Sequence, residues 1–166
     1  MTKSIEEIED KLSTLDPQGL RSHVLDAVKK FKGNWVDLAR YVAAVKKANA
    51  FREWGFVTFD SYCTRELKLR KQTVGKLLRS YKFLRKEEPT FLSAALSDGE
   101  PDRLPDYENV NILRRAQTRK EIKDDDYRKM RSAVLNSEVE PRELGRQYRS
   151  MLEAAREAEQ DPEQWW

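Results

Sequence analysis

Residues 58–84 read TFDSYCTRELKLRKQTVGKLLRSYKFL, and the fold follows from how the apolar side chains recur along them. Phe59, Tyr62, Cys63 and Leu67 share one face of a helix over about Phe59–Lys68. Val74, Leu77, Leu78, Tyr81 and Leu84 keep the three-and-four spacing over a second helix, Lys71–Leu84. That is the period at which a helix turns one side inward. Leu69 is the apolar residue between the two helices, placed to plug the corner where they cross.

This pattern resembles the helix-turn-helix of DNA-binding proteins, over this stretch alone. Cys63 and Leu67 match the paired apolar residues of its first helix, Leu69 the aliphatic residue that closes the turn, and Val74 and Leu77 the inner side of its second helix. Two positions depart from it. Lys68 stands where the motif usually has glycine, which accepts a left-handed backbone at little cost. Thr64 stands where a small Ala or Gly commonly lets the helices approach. The resemblance implies a second helix seated in the major groove of double-stranded DNA, with base-edge readers near its N-terminus and cations further along. By position Arg70, Lys71, Gln72 and Lys76 take the first role, and Lys68, Arg79, Lys82, Arg85 and Lys86 neutralise phosphates. Thr73 is placed to bond a phosphate or touch a thymine methyl, and Gly75 to let a backbone approach closely. A cationic helix face can be mere solvated surface. Behind a matching turn, and with no acid between Arg70 and Lys86, it points to nucleic acid.

Charge supports that reading once it is divided by position. The formal net charge over 166 residues is only +3. Residues 1–20 carry two cations and five acids, residues 21–100 seventeen and nine, and residues 101–166 thirteen and fifteen. From Arg40 to Lys86 there are thirteen cations against three acids. Local field, more than total charge, steers a polyanion. The chain is long enough to bury a real core, and at 37% charged and 39% apolar residues it is hydrophilic without a disordered composition. No apolar run of membrane-spanning length occurs. The start, MTKSIEEIEDKL, has no apolar secretory core, and the single cysteine permits no internal disulfide. The expected setting is the cytoplasm, in association with the nucleoid.

The remainder reads as helix throughout, an all-α multi-helix bundle. Ile5, Ile8, Leu12 and Leu15 make Ser4–Leu15 a short amphipathic helix. Asp16-Pro17 is an N-cap with proline at the first helical position, followed by a stripe of Leu20, Val24, Val28 and Phe31 and a stop at Gly33. His23 lies beside that stripe as a half-buried helix residue. Asn34 caps a helix from Trp35 to about Ala48 with Trp35, Leu38, Ala39, Val42 and Val45 inward. Phe51, Trp54, Phe56 and Phe59 form an aromatic connection whose spacing favours a packed hinge over stacking on single-stranded bases. Thr58 is the next cap. Glu87-Glu88-Pro89 ends the cationic helix, and Thr90 caps a short helix, FLSAAL.

Gly99, Pro101 and Pro105 mark the best boundary in the chain. The reading is a helical DNA-binding domain over 1–97, a linker over 98–106 and a helical accessory or dimerisation region over 107–166. In that region Tyr107, Val110, Leu113 and Ala116 mark one helix, Tyr127, Met130, Val134 and Leu135 a second, and Leu144, Tyr148, Met151, Leu152 and Ala155 a third begun by Pro141. Residues 137–151, SEVEPRELGRQYRSM, faintly resemble a second helix-turn-helix with Arg142, Arg146 and Arg149 along its outer side. Glu138, Glu140 and Glu143 crowd the same end and repel phosphate, so packing or dimerisation is the expectation there. The terminal Trp165-Trp166 suits either an anchor or a packed end.

Absent chemistry narrows function further. There is no Cys/His cluster of metal spacing, no glycine-rich phosphate loop, and one histidine only, without a nucleophile elbow around any serine. Asp124, Asp125 and Asp126 are consecutive, point different ways on one turn, and are ordinary helix-start acids. No catalytic residue, metal site or cofactor is assigned. The expected protein is non-enzymatic, of bacterial or phage type, binding duplex DNA as a transcriptional regulator or nucleoid- or partition-type factor, with a homodimer through the terminal helices. The other reading is a helical adaptor or scaffold whose basic stripe meets an acidic partner protein. RNA in place of DNA is a third.

Overall fold

A computed structural model describes residues 15–30, 34–98 and 104–160. Residues 4–14 of the expected helix Ser4–Leu15, together with Phe31, Gly33, Gly99, Pro101 and the terminal tryptophans, lie outside the described residues. Among those described, eight α-helices and one 3-10 turn make up the regular structure, and there is no strand. The chain forms two compact units, Met1–Asp102 and Arg103–Trp166.

In the first unit, α1 (Pro17–Lys29) begins where Asp16 Oδ1 accepts a hydrogen bond from the Gly19 amide, with Pro17 at the first helical position. Asn34 Oδ1 accepts from the Asp37 amide and starts α2 (Trp35–Ala48). Side-chain caps of this kind contribute about 1 kcal/mol each. α2 is the centre of the unit. Val36, Leu38, Ala39 and Val45 are fully buried, and α1 and the later helix Lys71–Glu87 both pack on it. It ends at Asn49, which takes a left-handed conformation (φ 53°) and feeds the 3-10 turn Ala50–Arg52. α3 (Phe59–Arg65) is capped by Thr58, whose hydroxyl accepts from the Ser61 amide.

α4 (Lys71–Glu87) follows after a five-residue connection, and α5 (Pro89–Asp98) after Glu88 alone. α4 runs three residues beyond the expected Leu84. It stops before Pro89, whose ring disfavours helical backbone in the residue ahead of it, and Glu88 stands outside the helical region at φ −131°, ψ 52°. Pro89 is itself the first residue of α5, so the helix starts there and not after Thr90. On α4, Ser80 and Phe83 are buried beside the expected Val74, Leu77, Tyr81 and Leu84, and α4 is packed by both α2 and α5. The aromatic connection is core: Phe51 and Trp54 are buried, Phe51 meets Phe59 at 6.1 Å, and Trp54 and Phe56 meet Tyr62 at 5.2 and 5.3 Å. His23 is exposed, not half-buried. Ala27 takes the inward position instead.

The second unit holds α6 (Tyr107–Gln117), α7 (Asp124–Leu135) and α8 (Pro141–Gln160), with α6 packed on both others. Its core is Val110, Leu113, Ala116, Met130, Val134, Leu144 and Tyr148. Asn109, buried, donates from Nδ2 to the Val139 carbonyl at 2.9 Å and so ties the α7–α8 turn to α6. No helix among the described residues is long and apolar enough to cross a membrane.

Candidate nucleic-acid interface

The connection between α3 and α4 is anchored by Leu67, which is 2% exposed. Leu69, expected in that place, is only half-buried. Lys68 adopts φ +59°, the left-handed backbone that costs a side-chain-bearing residue about 1 kcal/mol. The chain then doubles back: the Leu69 amide donates to the Cys63 carbonyl at 3.1 Å. Thr64 creates no crowding, because it points to solvent and donates its hydroxyl to the Asp60 carbonyl at 2.8 Å.

Glu66, at the end of α3, accepts three hydrogen bonds from the Arg21 guanidinium of α1, and the Arg21 guanidinium also lies 5.6 Å from the Trp54 ring centre. The Glu66 hydrogen bond raises the Arg21 pKa further above its ordinary value. Burial, with a smaller contribution from Glu66, pushes the Tyr62 hydroxyl well up. Burial, reinforced by Asp60, pushes the Cys63 thiol up to about 12. A thiol so raised and so enclosed is packing material and no nucleophile.

The outer side of α4 is arranged by spacing. Lys71, Gly75, Arg79, Lys82 and Lys86 follow one another by four, four, three and four residues, the step that keeps side chains on one helical ridge. The four cations are exposed and Gly75 half-exposed, with exposed Gln72 alongside. At the N-terminus Arg70 provides no side-chain cap and the first turn holds no acid, at the end of the helix where the dipole favours negative charge. Asp60 is the acid that approaches, 3.6 Å from Lys71 Nζ, and both partners are more than half exposed, so the pair is weak. A Cβ on Gly75 would stand 3.0–3.3 Å from the Arg79 guanidinium. That group therefore lies over bare backbone.

The ten residues expected from sequence thus divide. Lys71, Gln72, Arg79, Lys82 and Lys86 gather on the outer ridge, and Lys68 and Arg70 lead into it from the turn. Thr73 and Lys76 are half-buried on the flank shared with Ser80 and Phe83. Arg85 is exposed on the opposite flank, in line with Leu78 and Tyr81. Lys46 is an addition that sequence reading missed. It stands at the C-terminal end of α2 with its Nζ 5.5 Å from the Phe59 ring centre, and with Phe59, Asp60, Lys71, Gly75 and Arg79 it lines a shallow groove of about 360 Å³. The available signal was the Lys46-Lys47 pair, separated from α4 by the whole aromatic connection.

Elsewhere the chemistry is spare. His23 Nδ1 is 2.7 Å from the Gly19 carbonyl. Among the described residues no three His, Cys, Asp or Glu side chains converge as metal ligands would, and Asp124, Asp125 and Asp126 occupy the first turn of α7. No protein-family model, no curated protein and no solved structure matches the chain.

Proposed function

We propose that this protein binds double-stranded DNA, with α3 and α4 acting as a helix-turn-helix and the outer ridge of α4 entering the major groove. The observation that carries the reading is the division of α4 into two sides. Val74, Leu77 and Leu84 are at most 4% exposed on the inner side of a helix that packs on α2, while Lys71, Arg79, Lys82 and Lys86 face solvent, with the exposed Asp60 of α3 beside Lys71. A polyanion needs such a face, and a rigid inner side presents it without the entropy cost of ordering a loop.

Within that reading Arg70, Lys71 and Gln72 reach base edges, Gln suiting adenine and Arg or Lys guanine. Lys76, on the flank, contacts one wall of the groove. Lys68, Arg79, Lys82, Arg85 and Lys86 lie against phosphates. If about five phosphates are neutralised, log K falls against log salt with a slope of roughly −4 to −5. A titration of duplex DNA across salt concentrations tests this, and a slope near zero removes the proposal. Lys76→Glu and Arg79→Glu each weaken binding, and full affinity in both would displace the groove assignment. A chain that ignores DNA leaves the adaptor reading, in which the same ridge meets an acidic protein. The cellular role that fits is transcriptional regulation or nucleoid or partition function. Pairing with a second copy is supported by Met151, Leu152 and Ala155, which continue the apolar side of α8 only half-covered beyond the last buried residue, Tyr148.

A further inference from the structure

The turn before α8 repeats the construction of the turn before α4. Each holds a left-handed residue other than glycine, Lys68 (φ 59°) and Ser137 (φ 54°). In each, the next amide returns to a carbonyl of the preceding helix, Leu69 to Cys63 at 3.1 Å and Glu138 to Ala133 at 2.9 Å. The helix that follows then carries the same residue types at the same places. The fourth residue is a buried aliphatic (Val74, Leu144), the fifth is glycine (Gly75, Gly145), the sixth is a cation (Lys76, Arg146) and the ninth is arginine (Arg79, Arg149). In both helices the arginine folds over the glycine, its guanidinium 3.0 Å from the Cβ position at Gly75 and 3.4 Å at Gly145.

Gly145 is buried where Gly75 is half-exposed, yet no close contact requires a glycine there. The neighbouring Ile112 would be 3.9 Å from a Cβ there, an ordinary contact that an alanine tolerates, whereas glycine inside a helix costs about 1 kcal/mol. Outside it, Arg142, Arg146 and Arg149 step by four and three along one exposed ridge. Of the three acids at this end, Glu143 in the first turn is held by Arg146 at 3.2 Å, while Glu138 and Glu140 stand exposed before the helix begins.

From this repetition we propose that α8 is a second duplex-contacting helix, so that one chain offers two cationic helices to DNA, α8 meeting phosphates with Arg142, Arg146 and Arg149. The proposal rests on the DNA-binding reading of α4, and its test separates the two. The full chain is titrated against a long duplex over a salt series as wild type, as Arg142→Gln/Arg146→Gln/Arg149→Gln, as Arg79→Gln/Lys82→Gln and as Glu143→Gln. The α8 triple variant lowers the magnitude of the salt slope by about 2 to 3 and weakens binding by about tenfold or more at physiological salt. A purely structural role would weaken binding without reducing the slope. Glu143→Gln tightens binding a few-fold.

An α8 variant with wild-type slope and affinity, beside a weakened α4 variant, overturns the inference and leaves the α4 reading standing. The reverse result overturns α4 and keeps α8. A wild type that does not bind overturns both. Should the triple variant lose helix by circular dichroism, Glu143→Gln decides the matter, and no tightening there counts against α8.

Discussion

Lys68 is a residue in tension between two demands. Its left-handed backbone (φ +59°) favours glycine, while its position at the entry to α4 favours a cation. Lys68→Gly is expected to raise stability by up to about 1 kcal/mol, seen as a thermal midpoint a few degrees higher. The same change should reduce the salt slope of DNA binding by about 1, for one lost phosphate contact. Gly75 presents the converse case. Gly75→Ala gains about 1 kcal/mol of helix propensity and displaces only the flexible tip of Arg79. It is nevertheless expected to weaken DNA binding, because the methyl stands where duplex backbone would approach; unchanged affinity would show that the glycine serves nothing at that surface. At Cys63 the prediction concerns pH. The thiol is held up to about 12 by burial, whereas in the unfolded chain it ionises near 8.5. The folded state therefore keeps a proton that the unfolded state releases, so this stability is whole below about pH 8.5 and declines as pH climbs toward 12. Tyr62, also raised by burial, acts in the same direction at higher pH. Thermal midpoints measured from pH 8 upward should fall less steeply in Cys63→Ala than in the wild type, from a lower starting value set by the cavity left behind.

At the scale of the element, the turn that sets α4 is braced from outside by Arg21. This arginine joins α1 to the end of α3 through Glu66, which is 13% exposed. Removing it leaves a carboxylate with little access to water. Arg21→Ala is therefore expected to cost roughly 1.5–3 kcal/mol and to weaken DNA binding although Arg21 lies on another helix. Chemical unfolding and a duplex titration read both effects, and a stability loss with undiminished affinity would show that the brace does not position the ridge. The elements themselves were largely legible in the sequence, because their starts are written in local chemistry: Asp16, Asn34 and Thr58 each cap the helix they precede, and the apolar stripes of α2 and α4 follow the helical period. What was not legible came from contacts between elements. Ser80 and Phe83 break the simple stripe of α4 and are buried in a helix that both α2 and α5 pack on. Thr73 and Lys76 lie on the same flank by the helical repeat and are half-buried. Lys46 joins the groove only because α2 ends beside Phe59, a juxtaposition that no local spacing encodes.

At the scale of the molecule, the question is how many surfaces one chain brings to bear, and α8 bears on it twice. Its N-terminal half carries the arginine ridge, while its C-terminal half continues an apolar side that its own unit only half-covers at Met151, Leu152 and Ala155. These residues extend the spacing of Leu144 and Tyr148, which are buried in the core, so the helix stays amphipathic after its cover runs short. A second copy offering the same stripe would complete the burial, and the small Ala154, Ala155 and Ala158 let two such helices come close. Sedimentation is expected to show a mass that rises with concentration from one chain to two, and Leu152→Glu is expected to hold the protein at one chain by placing a charge in the seam. Because Leu152 lies at the half-covered end, that variant should unfold within about 1 kcal/mol of the wild type. A single mass at every concentration would mean that α8 pairs with no copy. If pairing does occur, two duplex-binding surfaces would be linked in one particle. Affinity for a site with two half-sites would then exceed that for one half-site by the effective concentration of the second binding event, and Leu152→Glu would abolish that excess while leaving single half-site affinity intact.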